Sequence, residues 1–378
     1  MIILSDWDRI GDGYRMVLKM SVNDSIDDLP SANRPMNPEF FAVSKEYGIP
    51  ADGSVVIENG EPTLVYKDGK WENYSGSSEK NSFAKLVDKT ITEVTEEDLQ
   101  GATKIGDGTF QECSGLTSVT IPDGVTSIGK NAFNYCSRLP FITIPNGVKS
   151  VGDNAFYKCS SLTSVTLPNS LISIGERAFY ECGKLSSITI PKGLWSIGKN
   201  AFNGCRSLTT ITIPNGVDRI DDGVFSNCSG LTSITIPNYV MSIGEYAFQG
   251  CSSLTPFTIP DSVTSIGAYA FAGCYGWASV TFSNSVTSIG DNAFAACRGL
   301  TSITISGSAT NIGNSVFYNC TKLSLIKMLP ATPPTIGSDV FSNTAADLQI
   351  VVPKGALDAY KTAANWNTYA DKMVEAAE

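Results

Sequence analysis

Histidine is absent from all 378 residues. That excludes Ser-His-Asp and Cys-His catalysis and removes histidine metal sites. Charge is scarce as well: Asp, Glu, Lys and Arg make up 17 % of the chain, and Ser, Thr, Gly and Asn fill the polar positions instead. The formal net charge is −10, and no cluster of five Lys or Arg occurs. Nucleic acid and anionic membrane surfaces both need a basic footprint, so neither is expected as a partner. No apolar run reaches the length of a membrane span. The opening "MIILSDWDRIGDG" has neither the basic start nor the apolar core of a secretory signal, and no lipidation motif is visible. A location on a virion or an outer surface then implies another export route, or release by lysis. The ten cysteines include no C-x₂₋₄-C pair, so structural zinc is not expected, and no cofactor is implied.

What is present is a period. The cysteines stand at 113, 136, 159, 182, 205, 228, 251, 274, 297 and 320, each step being 23 residues. Phenylalanine keeps the same step from Phe110 to Phe317. An Ile-Gly pair precedes each, as in Ile128-Gly129, with lapses at Val151-Gly152 and Ile220-Asp221. A fixed short period of this kind reads as a solenoid.

One unit is "IPDGVTSIGKNAFNYCSRLPFIT", residues 121–143. "LTSVTI" alternates as a half-buried strand does, with Leu116, Val119 and Ile121 to one side. Pro122 and Gly124 turn the chain, "VTSI" gives a second short strand with Val125 and Ile128 inward, and Gly129 turns it again. "NAFNYC" is expected to form about one helical turn with Phe133 and Cys136 on one face. The apolar groups of one unit, about seven, cannot offset the entropy of ordering it, so units must stack. Stacking sets equivalent cysteines about 4.7–4.9 Å apart with parallel side chains, whereas a disulfide needs converging Cβ atoms near 3.8 Å. A ladder of reduced, buried thiols is therefore expected.

The pattern "L-x-x-I-x-I-P…V-x-x-I-G-x-x-A-F-x-x-C" resembles the BspA-like, or Treponema-type, leucine-rich repeats over residues 104 to about 355. The resemblance implies a curved right-handed solenoid and a role in adhesion or protein–protein binding on bacterial surfaces. It transfers no catalytic residue. The fold class expected is a mainly β solenoid of about 10–11 coils, with a small N-terminal β-rich domain and a C-terminal helical cap.

The domain reading is as follows. Residues 1–75 form an attachment or oligomerisation module, where Asn59-Gly60 and Asp68-Gly69 between β runs suggest a meander. Residues 76–82, from the Gly/Ser-rich "SGSSEKNS", are a linker. Residues 83–103 form an N-terminal cap, with Thr95 capping a short helix and a carboxylate three residues on. Residues 104–355 are the solenoid. Residues 356–378 are a helical cap, because Leu357, Tyr360, Trp366, Tyr369 and Met373 recur at helical spacing. The stretch "DDLP…GSVVIENGEPTLVYKDGKW" looks like a module of bacteriophage structural proteins. That resemblance implies a virion fibre or decoration protein, beside the bacterial surface protein that the repeats imply.

Other motifs fail on spacing. "Asp6-x-Asp8…Gly11-Asp12" lacks the later acids of a calcium loop. Asp221-Asp222, in place of a glycine turn, leaves a cation site as a minor alternative. Outward strand positions form a Ser/Thr stripe, such as Ser164/Thr166 and Thr210/Thr212, readable as β propensity or as a hydrogen-bonding platform. Interfaces favour aromatic residues and Arg, so the irregular positions Arg138, Phe141, Trp195, Tyr239, Tyr275, Trp277 and Arg298 are the candidate binding residues. Trp277 occupies a core Leu position, so burial is its alternative. The function expected is non-enzymatic binding of a protein or glycan through the solenoid, with capsid, tail or its own subunits as partners of the N-terminal domain. A structural spacer, or an enzyme whose chemistry lies in residues 1–82, are the alternatives.

Overall fold

The computed structural model describes residues 91–377 and, before them, the backbone of five strands. Trp7–Ile10 pairs antiparallel with Gly13–Met16. Val55–Glu58, Glu61–Lys67 and Lys70–Asn73 form an antiparallel meander, joined across the Asn-Gly and Asp-Gly positions read from the sequence. The expected linker at 76–82, residues 83–90 of the expected cap, and Asp6, Gly11 and Asp12 of the calcium-loop motif lie outside the described residues.

From residue 91 onward the chain winds into a parallel β-solenoid of about twelve turns, slightly more than the number expected. Each turn has three sides. The first carries a strand such as Ser164–Thr166, with the middle residue buried and its neighbours exposed. Pro168 starts a tight turn closed by the Leu171 N–H on the Pro168 carbonyl, 3.1 Å. The second side carries a two-residue strand such as Ser173–Ile174. The third side runs through the Ala-Phe-x-x-Cys segment. Strands pair with their copies one period away, Ser150 with Ser173 and Ser173 with Ser196, so identical residues stack in columns.

The third side departs from the helical turn expected of it. Two residues per turn adopt left-handed backbone, two before and two after each phenylalanine: Asn154 at φ 54° and Lys158 at φ 56° flank Phe156. Helix cannot propagate through such residues. Asparagine recurs at the first of them (Asn131, Asn154, Asn200, Asn292) because it tolerates this region best after glycine. The backbone instead bonds from turn to turn: the Phe133 N–H donates to the Ala155 carbonyl at 2.7 Å.

Phenylalanine rings form one continuous stack from Phe110 to Phe341. The centroids of Phe133 and Phe156 lie 5.1 Å apart, and those of Phe156 and Phe179 lie 5.2 Å apart, with planes nearly parallel. The cysteines are free and buried, as expected. Each Sγ from Cys136 onward also has a partner that spacing did not reveal. The Cys159 thiol donates to the carbonyl of Phe133, one turn back, at 3.1 Å. Cysteine thus fills core volume and satisfies a carbonyl, which alanine could not do.

Glycine after the second strand allows a close approach between turns. A Cβ on Gly152 would lie 2.5 Å from the carbonyl carbon of Gly129. Threonine before the second strand adds an outer ladder: Thr287 Oγ1 donates to the Thr264 carbonyl at 3.2 Å, and Thr310 Oγ1 to that of Thr287 at 3.1 Å. Thr287→Val should therefore cost about 0.5–1.5 kcal/mol in denaturant unfolding, the net worth of one hydrogen bond. No loss at all would show that the ladder is ornamental.

The first sheet lapses at residues 256–258, between Ser233–Thr235 and Ser279–Thr281. Pro256 has no N–H to give, and Phe257 replaces the Ile or Val of other turns. Its ring meets Trp277 edge-on at 5.4 Å. Two oversized residues share this level, and the strand yields.

The two ends of the described solenoid differ. Glu93–Val94 pairs with Ser118–Val119, and Thr95 and Asp98 form the expected reciprocal cap: the Thr95 N–H donates to Asp98 Oδ2 at 2.8 Å. At the far end helix is shorter than expected. Leu357–Thr362 is α-helical, Trp366–Lys372 is 3₁₀, and Met373–Glu375 is a strand that pairs with Gln349–Val352. The extra strand covers the last sheet edge, which a helix would leave unpaired. Trp366 and Tyr369 close the phenylalanine stack against Phe341. Trp366 Nε1 and the Tyr360 hydroxyl donate to the carbonyls of Pro334 and Pro330, both at 2.8 Å.

Candidate binding surface

Inward positions are almost wholly apolar, so any ligand must be met by the variable outward residues of the three sides. On the first side these are the Ser/Thr stripe, exposed as expected, with Phe141 standing out of it at 58 % exposure.

The second side has one informative column, the position two residues before the buried Ile or Val. It reads Thr126, Lys149, Ile172, Trp195, Asp218, Met241, Thr264, Thr287 and Thr310. Where it holds threonine, the hydroxyl is tied to the turn before. Where it holds Ile172, Trp195 and Met241, side chains 46 %, 70 % and 54 % exposed project without that tie. Backbone bonds set the spacing: the Trp195 N–H donates to the Ile172 carbonyl at 2.9 Å, and the Met241 N–H to the Asp218 carbonyl at 2.8 Å. Tyr239, two residues before Met241, is 64 % exposed. The result is a set of apolar side chains bordered by Lys149 and Thr264 and interrupted by Asp218.

The third side carries tyrosines. Tyr157 and Tyr180 stack at 4.9 Å with planes 7° apart, and Tyr135 tilts onto Tyr157 at 5.6 Å. The Lys158 ammonium lies 5.3 and 5.4 Å from the Tyr135 and Tyr157 ring centroids and donates to the Tyr135 hydroxyl at 3.4 Å. That hydrogen bond, with the adjacent phenols, raises the Lys158 pKa. Tyr246 and Tyr269 form a second stacked pair at 5.0 Å.

Of the residues named from sequence, Arg138, Phe141, Trp195, Tyr239, Tyr275 and Arg298 are exposed. Arg298 lies over the Tyr275 ring at 6.0 Å, and Trp195 falls into the apolar column. Trp277 does not reach the surface. It is 1 % exposed and packs on Phe271 at 4.9 Å, so it replaces a core leucine and cannot meet a ligand. Sequence reading missed Ile172, Met241 and the tyrosine stack. Ile172 and Met241 were detectable as breaks in a threonine column. Tyr135 and Tyr157 sit at different offsets from their cysteines and meet only because the backbone curls.

Asp221 and Asp222 each hold a cationic side chain: Arg219 Nε lies 3.1 Å from Asp221, and Lys199 Nζ lies 2.7 Å from Asp222. Among the described residues no group of three Cys, Asp or Glu side chains is placed to hold a metal ion. No helix there is long and apolar enough to cross a membrane.

The comparisons agree with this geometry. The family model for the BspA type leucine rich repeat region matches residues 80–191, 103–232 and 242–364. A leucine rich cell surface protein from Faecalibacterium prausnitzii is 36 % identical over 64 % of this chain and 73 % of its own, with a TM-score of 0.46. A leucine-rich repeat protein from Bacteroides ovatus is 24 % identical over 84 % of this chain and 91 % of its own, with a TM-score of 0.54. The leucine rich repeat protein of T. pallidum is 28 % identical over 50 % and 79 %, with a TM-score of 0.41. No curated protein matches. Repeat signature, fold and family match coincide over most of the chain, which belongs to the BspA-type leucine-rich repeat family.

Proposed function

We propose that this protein is a non-enzymatic binding protein of a bacterial surface, and that the second side of its solenoid docks a partner protein. The observation that carries this is the exposed trio Ile172, Trp195 and Met241, with Tyr239 beside it, in a column where four other turns hold threonine and two hold Lys149 and Asp218. Exposed aromatic and Met side chains grouped on one face are the composition of interface centres. Backbone bonds tie Trp195 to Ile172 and Met241 to Asp218, and the ladder is interrupted between Trp195 and Asp218, so the column is held as two ordered halves. The family's surface proteins and the cell-surface relative in Faecalibacterium prausnitzii support the location. Residues 1–75 would supply attachment. The likeness of that segment to a phage module rests on the quoted stretch alone, since the family match begins at residue 80.

The test is a binding screen against host-cell, matrix-protein and glycan arrays, repeated with Trp195→Ala/Met241→Ala. Removal of two anchors should weaken a protein partner at least about thirtyfold, the scale of one hot spot. A Thr264→Ala control should bind as the parent does. Equal binding by the double variant would move the site elsewhere. Glycan capture unaffected by it would favour the first-side hydroxyl stripe.

A further inference from the structure

The ladders between turns are interrupted at one level on two sides at once. On the second side, Ser196–Ile197 and Arg219–Ile220 are not paired, although Ser173–Ile174 pairs below and Ser242–Ile243 pairs above. On the first side, Ser187–Ile188 and Thr210–Thr212 are also unpaired, and the Thr209 N–H reaches the Ser186 carbonyl only at 3.4 Å. Elsewhere among the described turns, a gap in the first sheet lies opposite an unbroken second sheet, as at residues 256–258, where Ser242, Ser265 and Ser288 stay in register.

Residue 221 explains the coincidence. In neighbouring turns this position is glycine, and a Cβ there would strike the turn below: 2.5 Å from Glu176 N at Gly198, and 2.7 Å from Asp222 N at Gly244. Asp221 carries such a Cβ. The Gly198 and Gly244 N–H groups donate to Ile174 and Ile220 carbonyls at 2.9 and 2.7 Å, whereas no such bond joins Asp221 to Ile197. The third side stays joined, with the Asn200 and Phe202 N–H groups on the Asp222 and Val224 carbonyls at 2.9 Å. The phenylalanine stack also continues across, Phe202 to Phe225 at 5.8 Å. The third side is therefore the spine of the seam; on the other two sides the turns touch without ladder bonds, as where a Cβ on Gly216 would lie 2.5 Å from the Leu194 carbonyl oxygen. Lys199 and Asp222 bridge it at 2.7 Å, with the ammonium exposed and the carboxylate half-buried.

We propose that Asp221 divides the solenoid into two blocks, residues 91–208 and 209–377, which open against each other along this seam and unfold as separate cooperative units. In a stacked array, cooperativity passes only through the interface between neighbouring turns. An interface lacking its ladders on two of three sides is where that coupling is weakest. This inference is independent of any ligand.

The test is amide hydrogen exchange and denaturant unfolding of the full chain, comparing the parent with Asp221→Gly and Asp221→Ala. Glycine removes the Cβ and should close the seam. Exchange over residues 209–221 should then slow at least about tenfold, the worth of two or three restored hydrogen bonds, and two unfolding steps should merge into one. Alanine keeps the Cβ and removes the charge, so its seam should stay open with parental exchange. The proposal is overturned if the parent protects 209–221 as strongly as 232–244 and unfolds in one step. It is equally overturned if alanine and glycine act alike, because charge would then be the cause.

Discussion

Raising the pH past about 9 in the presence of reductant should unfold the solenoid within a narrow interval. Burial raises the thiol pKa at every cysteine from Cys136 to Cys320, to about 12 at Cys182, Cys251 and Cys297. An unfolded thiol ionises near 8.5. Below that pH both states hold the proton and stability is complete. Above it the unfolded chain binds fewer protons than the folded one, so stability falls as pH rises toward the folded pKa. One pH unit above the unfolded pKa, each thiol removes about 1.4 kcal/mol. Nine of them together remove about 13 kcal/mol, as much as the whole stability of a typical domain. Circular dichroism against pH reads this directly. Thiol reagent at pH 8 supplies the companion result, ten reactive cysteines in denaturant and almost none in the native protein. Native thiols that titrate near 8.5 without loss of structure would refute the buried ladder.

Phe179→Ala should cost about 3–5 kcal/mol, the range for emptying a large buried aromatic site. Phe179 is fully buried between Phe156 and Phe202, with centroids 5.2 and 5.4 Å away. Its removal leaves two ring faces without a partner and a void that ladders above and below keep from collapsing. Aromatic pairs contribute about 0.5–1.5 kcal/mol each beyond area, so the upper half of the range is expected. Urea unfolding of this variant should be compared with Tyr180→Ala, which removes a partly exposed ring one residue away. A loss below about 1 kcal/mol at Phe179 would mean that the stack is not the core.

The inward half of each turn was legible in the sequence because its chemistry repeats. Val125, Ile128, Phe133, Cys136 and Leu139 lie in the core as their spacing requires. The same period pointed to a ladder of reduced thiols, and the cysteines are free and buried. What stayed illegible arises between turns. The expected helix at "NAFNYC" failed because a three-residue spacing of Phe and Cys fits a curl with two left-handed residues as well as a helical turn. Asp221 stood out in the sequence as a lapse, but its consequence is steric and belongs to residues 23 positions earlier. The end segment carried helical spacing over Leu357 to Met373, yet its last residues are claimed by the open edge of Gln349–Val352. Trp277 was ambiguous for a related reason: size and apolarity suit an interface and a core alike. Only its neighbours, Phe257 and Phe271, decide.

Pairing by a constant offset has an evolutionary consequence. Because Ser150, Ser173 and Ser196 occupy equivalent sites, a whole turn can be duplicated or lost by recombination between the coding repeats without disturbing the register of any other. The array can change length while the two end caps stay as they are. This freedom is unequal along the chain. Turns such as 127–149 are interchangeable, whereas the stretch holding Phe257 and Trp277 must be inherited as a pair, since each oversized ring is accommodated by the other. Length variation among close relatives should accordingly come in steps of one period and should spare that pair.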